Sequence, residues 1–305
     1  MRLFIAACLA ALTATPALAQ VEQRQLLRSD GTMIEYSVDV PQGASAGLLL
    51  LAQGSGCQPT AKNAHLATVR RAYPHHIAIQ IEKYGITPDA GITDGFADCP
   101  EQFHAGYTVS GRVSDYEAVL AEIRGRGQPL ILFGGSEGGL AVAMLAARID
   151  ANAAVILSSA SGMAFSDMVL STVPPEGQEQ VRAGLAAASL DPEGKALFAG
   201  SSHRFWADIM QHVPVDYMLA SDTPFLIIQG GLDKSSPVAA ARAAADRFAA
   251  AGKAGLTYWE FPALDHGMVD PVGQSHLAEV AAASAGWASE VLRRSESLAH
   301  RADPN

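Results

Sequence analysis

The chain is 305 residues long, 49% apolar and 17% charged, with a formal net charge of −10 at pH 7. That length can bury a sizeable core, in one domain or two small ones. The acidic balance, with no basic cluster of the kind that follows a phosphate backbone, argues against nucleic acid as a partner.

At the start, Arg2, an apolar stretch over 3–12 and Ala17-Leu18-Ala19 before Gln20 read as a secretory signal peptide cleaved after Ala19. The stretch is too short and too alanine-rich for a durable membrane span. The mature chain, 20–305, is therefore expected to be secreted or periplasmic, without stable membrane insertion. Cys8 leaves with the signal, and the even pair Cys57 and Cys99 is expected to form a disulfide in an oxidising compartment. Residues 25–28 and 33–40 read as an opening hairpin, because Ile34, Tyr36, Val38 and Val40 alternate with Glu35, Ser37 and Asp39. Strand 48–52, a helix near 62–71, strand 77–81, a long Gly-, Asp- and Pro-rich loop over 87–107, a helix near 113–124 and strand 130–133 follow. Then come a helix over 140–148, strand 154–157, a strand from Phe225, a helix near 237–251, strand 256–261 and a helix near 275–293. This alternation predicts an α/β fold, a mainly parallel doubly wound sheet of about eight strands covered on both faces. One segment breaks the rhythm. Residues 162–222 carry Phe165, Met168, Phe198, Phe205, Trp206, Met210, Tyr217 and Met218, and read as a helical cap inserted into a single domain.

The chemistry concentrates at Gly134-Gly135-Ser136-Glu137-Gly138-Gly139, between the apolar run Leu130-Ile131-Leu132-Phe133 and a helix-favouring segment. A serine at such a strand-to-helix turn is a nucleophile elbow: small neighbours let helix and strand close up, and the first helical N–H groups face the hydroxyl. A serine hydroxyl needs a histidine to take its proton and a carboxylate to fix that histidine's tautomer. Asp233 follows the apolar run Phe225-Leu226-Ile227-Ile228 and Gly230-Gly231, at the carboxyl end of a strand where catalytic loops lie. His266 follows the last strand, in Leu264-Asp265-His266-Gly267-Met268. Asp265 and Asp270 are rivals for the acid, but a carboxylate next to the histidine in sequence rarely points at its ring. The second half of an oxyanion hole is expected in Gln53-Gly54-Ser55-Gly56-Cys57, where the N–H of Ser55, or failing that of Gly56, would join that of Glu137.

On these motifs the chain resembles the α/β-hydrolase superfamily of serine esterases, lipases and peptidases, from about Gln25 to the last helix. The resemblance implies the α/β-hydrolase fold, a Ser136-Asp233-His266 triad and an oxyanion hole of Glu137 and Ser55. Gln53 and Gly135 stand where a histidine is common in that superfamily. Phe205, Trp206 and Met210 are expected to bind substrate from the cap, a small satellite core being the alternative. No H-E-x-x-H or paired C-x-x-C occurs, and His75-His76 on a strand would project to opposite faces, so neither metal nor cofactor is expected. The expected function is hydrolysis of small-molecule carboxylic esters through an acyl-enzyme. An aminopeptidase-like peptidase acting on short peptides, with Glu137 or an acid of the long loop to hold a substrate amine, is the first alternative. A non-catalytic binding protein on the same scaffold is the second.

Overall fold

The computed structural model describes residues 20–302, so the expected signal peptide lies outside the described residues. Strands β1 (Gln20–Leu27) and β2 (Met33–Val40) form the opening hairpin, paired antiparallel from Gln20 with Val40 to Leu27 with Met33. The first arm is longer than its sequence suggested, because this outer strand is mostly exposed and shows no apolar alternation to read. Next come β3 (Leu48–Ala52), α1 (Ala64–Ala72), β4 (Ile77–Ile81), α2 (Glu101–Gly106) and α3 (Val109–Ile123). Asn63 Oδ1 starts α1 by accepting the N–H groups of His65 and Leu66, both at 3.1 Å. Thr108 Oγ1 starts α3 by accepting from Gly111 N at 2.9 Å, a hydroxyl cap that places the helix start ahead of the predicted one.

Then follow β5 (Leu130–Gly135), α4 (Glu137–Ala146) and β6 (Ala153–Leu157). The insertion contains α5 (Phe165–Thr172), α6 (Pro175–Leu190), a small hairpin of β7 (Leu197–Phe198) and β8 (Ser201–Ser202), α7 (His203–Ile209) and α8 (Pro214–Ala220). The chain closes with β9 (Phe225–Gly230), α9 (Val238–Ala250), β10 (Leu256–Phe261) and α10 (Leu277–Ala302).

Eight strands make one sheet in the order β1-β2-β4-β3-β5-β6-β9-β10. β2 runs antiparallel to β1 and β4, and every other pairing is parallel. The four leucines of β3 explain why its sequence shows no polar face. Leu48 and Leu50 enter the core on the α3 and α4 side, while Leu49 and Leu51 enter the one that α1 and α10 cover. A strand buried on both faces needs apolar residues at every position. Helix α4 is buried along its whole length, which its run of Gly, Ala, Leu, Val and Met permits. Phe205, Trp206 and Ile209 of α7 join the larger core, so the insertion packs continuously with the body of the protein.

From β3 the chain steps to β4 on one side, and β5 then pairs with β3 on the other. The crevice between the carboxyl ends of β3 and β5 is thus a topological switch point, where open α/β sheets place their sites.

Candidate active site

Ser136 sits between β5 and α4 with φ 54° and ψ −125°, a backbone state that L-residues adopt only at a cost of about 1–3 kcal/mol. The surroundings hold it there. Its N–H donates to Leu157 O at 2.8 Å, and a Cβ on Gly134 would lie 2.2 Å from Gly138 O. A Cβ on Gly138 would lie 2.3 Å from Ala52 O, so helix, elbow and β3 meet backbone to backbone. Gly54 lies against the serine itself: a Cβ there would be 3.3 Å from Ser136 Cβ and 3.9 Å from Oγ. The glycine-rich turn after β3 and the serine motif, far apart in sequence, therefore share one crevice.

His266 and Asp233 are joined directly. His266 Nδ1 lies 2.9 and 3.0 Å from the two carboxylate oxygens, and a carboxylate can only accept, so Nδ1 is the donor of this pair. The Asp233 side chain is fully buried and also receives the N–H groups of Ser235 and Ser236, at 2.8 Å each, and Gln229 Nε2 at 3.0 Å. These donors fix the carboxylate beneath the ring. The Gly230-Gly231 pair lets the loops approach: a Cβ on Gly230 would meet Asp265 O at 2.4 Å and one on Gly231 would meet Pro262 at 2.6 Å. Asp265 is occupied otherwise, its Oδ1 accepting from Gly267 N and Val269 N, and Asp270 bonds His276 and its own turn. His266 and Ser136 border the same cavity, with no direct hydrogen bond between them in the structure. Looser contacts of this kind are usual before a substrate is bound.

The disulfide Cys57–Cys99 is present, with Cα atoms 5.6 Å apart. It binds the loop after β3 to the loop of 94–99, where Cys57 N also donates to Gly95 O at 2.7 Å. Beneath the loop after β3 lies a group of buried charges that the sequence did not announce. The Glu137 carboxylate is not spread over the helix start. It is buried, with Lys83 Nζ at 2.8 Å, Arg112 Nη1 at 3.2 Å and the Tyr107 hydroxyl donating to it. Lys83 Nζ also donates to Gly54 O at 2.8 Å, and Arg112 Nη2 to Gln53 O at 2.8 Å. Burial pushes the Lys83 ammonium down to about 8, against the pull of Glu137. Burial alone would raise Glu137, but Lys83 and Arg112 outweigh it and hold the carboxyl below its usual range. Both stay charged at pH 7. The signal for Lys83 was available: Glu82-Lys83 directly follows an apolar strand at the carboxyl end of the sheet.

Three cavities meet around Ser55. One of about 150 Å³ reaches Ser136 and is walled by Met163, Phe165, Met168 and Pro214. Another, of about 350 Å³, is bordered by Ser136, His266, Leu66, Phe96 and Leu277. The third, about 170 Å³, lies against Phe96, Phe165, Phe205 and Trp206 without touching Ser136. Phe205 and Trp206 therefore face a cavity one step removed from the serine, while Met210 packs into the core and lines none of these three. Of the three cap residues expected to bind substrate, Phe205 and Trp206 border a cavity, whereas Met210, just past the end of α7, packs partly buried against the core. Met163, Phe165 and Met168 of the insertion line the smaller cavity that Ser136 borders. Among the described residues no group of three or more His, Cys, Asp or Glu is placed to hold a metal ion, and no helix is long and apolar enough to cross a membrane.

No family model and no curated protein matches this chain. Solved structures do. Est1E from Butyrivibrio proteoclasticus superposes with a TM-score of 0.62 at 17% identity, over 89% of this chain and 99% of that one. A monoacylglycerol lipase from Paleococcus ferrophilus gives 0.61 at 16% identity, over 85% and 99%. A proline iminopeptidase from Mycobacterium smegmatis gives 0.56 at 16%, over 88% and 98%. The strand order, the elbow and these three likenesses over nearly full length agree, and the chain has the α/β-hydrolase fold.

Proposed function

We propose that this protein is a serine hydrolase cleaving carboxylic esters of short or single-ring acids through an acyl-enzyme. The observation that carries the reading is the anchoring of His266 on buried Asp233, with the ring bordering the cavity of a serine held at φ 54°. In that arrangement Ser136 Oγ attacks the ester carbonyl carbon as its proton passes to His266 Nε2. The resulting oxyanion takes hydrogen bonds from the N–H groups of Glu137 and Ser55. Collapse expels the alcohol, which receives the proton from His266, and a water then repeats the sequence on the acyl-enzyme. The leaving alcohol needs His266 as its acid, so it occupies the larger cavity, which His266 borders. The acyl group then occupies the smaller one, whose volume of about 150 Å³ matches that of an apolar cavity able to hold a benzene ring.

An aminopeptidase is less well supported. Glu137 is the one acidic residue lining these three cavities, and its carboxylate is engaged by Lys83, Arg112 and Tyr107. A substrate ammonium would have no partner there. The Cys57–Cys99 bridge supports residence in an oxidising compartment, the periplasm or outside the cell, as the leader sequence also suggests.

Initial rates on p-nitrophenyl acyl esters of increasing chain length, beside amino-acid p-nitroanilides, test the reading. Short acyl esters should be hydrolysed fastest, and a fluorophosphonate should label the wild type but not Ser136→Ala. Full hydrolysis by Ser136→Ala refutes the nucleophile, and faster turnover of the anilides refutes the ester preference.

A further inference from the structure

The buried charges below the crevice touch both stretches assigned to the oxyanion hole, and the way they touch them is directional. Lys83 Nζ holds the carbonyl of Gly54, and Arg112 Nη2 holds that of Gln53, each at 2.8 Å from the buried side. A trans peptide is planar, with its C=O and N–H on opposite sides. Pulling the Gly54 carbonyl down therefore turns the Ser55 N–H up, toward the cavities that Ser55 borders. The grip on Gln53 fixes the preceding plane in the same sense. Across the crevice, both cations bind the carboxylate of Glu137, whose own N–H is the other proposed donor. Among the described residues, neither the Ser55 N–H nor the Glu137 N–H donates to any protein acceptor.

We infer that Lys83 and Arg112 are positioning residues that aim the oxyanion-hole N–H of Ser55 and lock it at a fixed distance from that of Glu137. This rests on the serine-hydrolase reading. A group serving stability alone would not need a cation on each of two consecutive carbonyls. The cost of burying Lys83 is visible in its lowered proton affinity, so its retention calls for a return elsewhere. Preorganised donors supply that return, because a hole built before the substrate arrives needs no reorganisation during the reaction. Tyr107 braces the arrangement: its ring lies 4.6 Å from Lys83 Nζ and stacks on Phe103, with centroids 4.7 Å apart.

The test uses the full-length mature protein with Lys83→Met and Arg112→Met. Each variant leaves Glu137 one cation, so the buried charges stay paired and either variant that folds decides the question. Thermal denaturation, kcat and KM on p-nitrophenyl acetate, and inhibition by phenylboronic acid are measured together. The boronate forms a tetrahedral anion on Ser136 and places an oxygen where the oxyanion would be. Expected is a fall in kcat of about 10- to 100-fold with KM within about twofold, and a parallel weakening of phenylboronic acid. A folded variant with wild-type kcat and wild-type boronate affinity overturns the inference. So does one whose losses follow its melting temperature while the boronate is unaffected. A wild type that takes no fluorophosphonate label overturns the parent reading, whereas a labelled wild type with unaffected variants overturns this inference alone.

Discussion

Adding one methyl group at Gly138 should disable this protein, whereas the same addition at Gly135 should pass unnoticed. A Cβ at 138 would sit 2.3 Å from Ala52 O and 2.6 Å from Gln53 O, where 3.0 Å is the closest approach tolerated, so α4 must lift by at least about 0.7 Å. Neither oxygen can retreat. Ala52 is registered opposite Gly134 in the sheet, and Gln53 O is held by Arg112. Overpacking of this kind costs about 1–3 kcal/mol, against a gain in helix propensity of about 1 kcal/mol at most. The net cost is about 0–3 kcal/mol, and at a few degrees per kcal/mol the melting temperature of Gly138→Ala should fall by up to roughly 12 °C. Lifting α4 also carries the Glu137 N–H away from Ser55, and a shift near 1 Å costs about 100-fold in rate. For Gly135→Ala the nearest atom, Leu157 O, is 3.9 Å away, and the melting temperature should hold or rise slightly. Circular-dichroism melts and p-nitrophenyl acetate kinetics on both variants decide it. Wild-type stability and kcat in Gly138→Ala would show that the packing argument for the elbow is wrong.

Asp233→Asn should leave the fold intact and lower kcat by roughly 10³- to 10⁴-fold, because an amide in place of the carboxylate favours the wrong histidine tautomer; a loss below tenfold on the ester assay would remove Asp233 from the mechanism. Cys57 and Cys99 are 42 residues apart, and losing the bridge in Cys57→Ser/Cys99→Ser should cost about 4 kcal/mol by loop entropy. Urea unfolding of both forms measures it, and a difference under about 1 kcal/mol would mean other contacts already fix the two loops. His76 is buried with neither ring nitrogen hydrogen-bonded, and burial, then the charges of Arg70 and His75, hold its proton affinity below the ordinary value. The unfolded chain therefore takes up this proton first, so stability is lost as pH falls below about 6.5. His76→Phe should flatten the decline of the urea midpoint between pH 7 and pH 5, and an unchanged slope would exclude His76 as its source.

Several features of the site could be read from the chain because local rules governed them. The elbow needs small residues at Gly134 and Gly138, and both positions are sterically closed to a side chain. Ser136, Asp233 and His266 each follow a strand in the sequence, and the structure puts all three at the carboxyl edge of the sheet. What escaped was set by tertiary contact. Lys83 and Arg112 stand 54 and 25 residues from Glu137, and no periodicity links such positions. Glu137 begins α4, where the helix dipole favours an acid, and that place says nothing of its partners. In the insertion, composition marked the aromatic residues but not their facing: Phe165 and Met168 line a cavity that Ser136 borders, and Met210 does not.

The ion group under the crevice also limits how this sequence can vary. Position 135 has room for a Cβ, with Leu157 O 3.9 Å away, but position 137 is chained to two others. An apolar residue there strands Lys83 and Arg112 in the interior, and reversing either cation strands Glu137, at a cost of about 3–5 kcal/mol each. Position 137 is consequently tied to 83 and 112: a neutral residue at one cation leaves the other to pair the carboxylate, whereas losing the carboxylate requires the cations to change with it. Saturation mutagenesis in pairs would reveal that dependence where single-site scans report only intolerance.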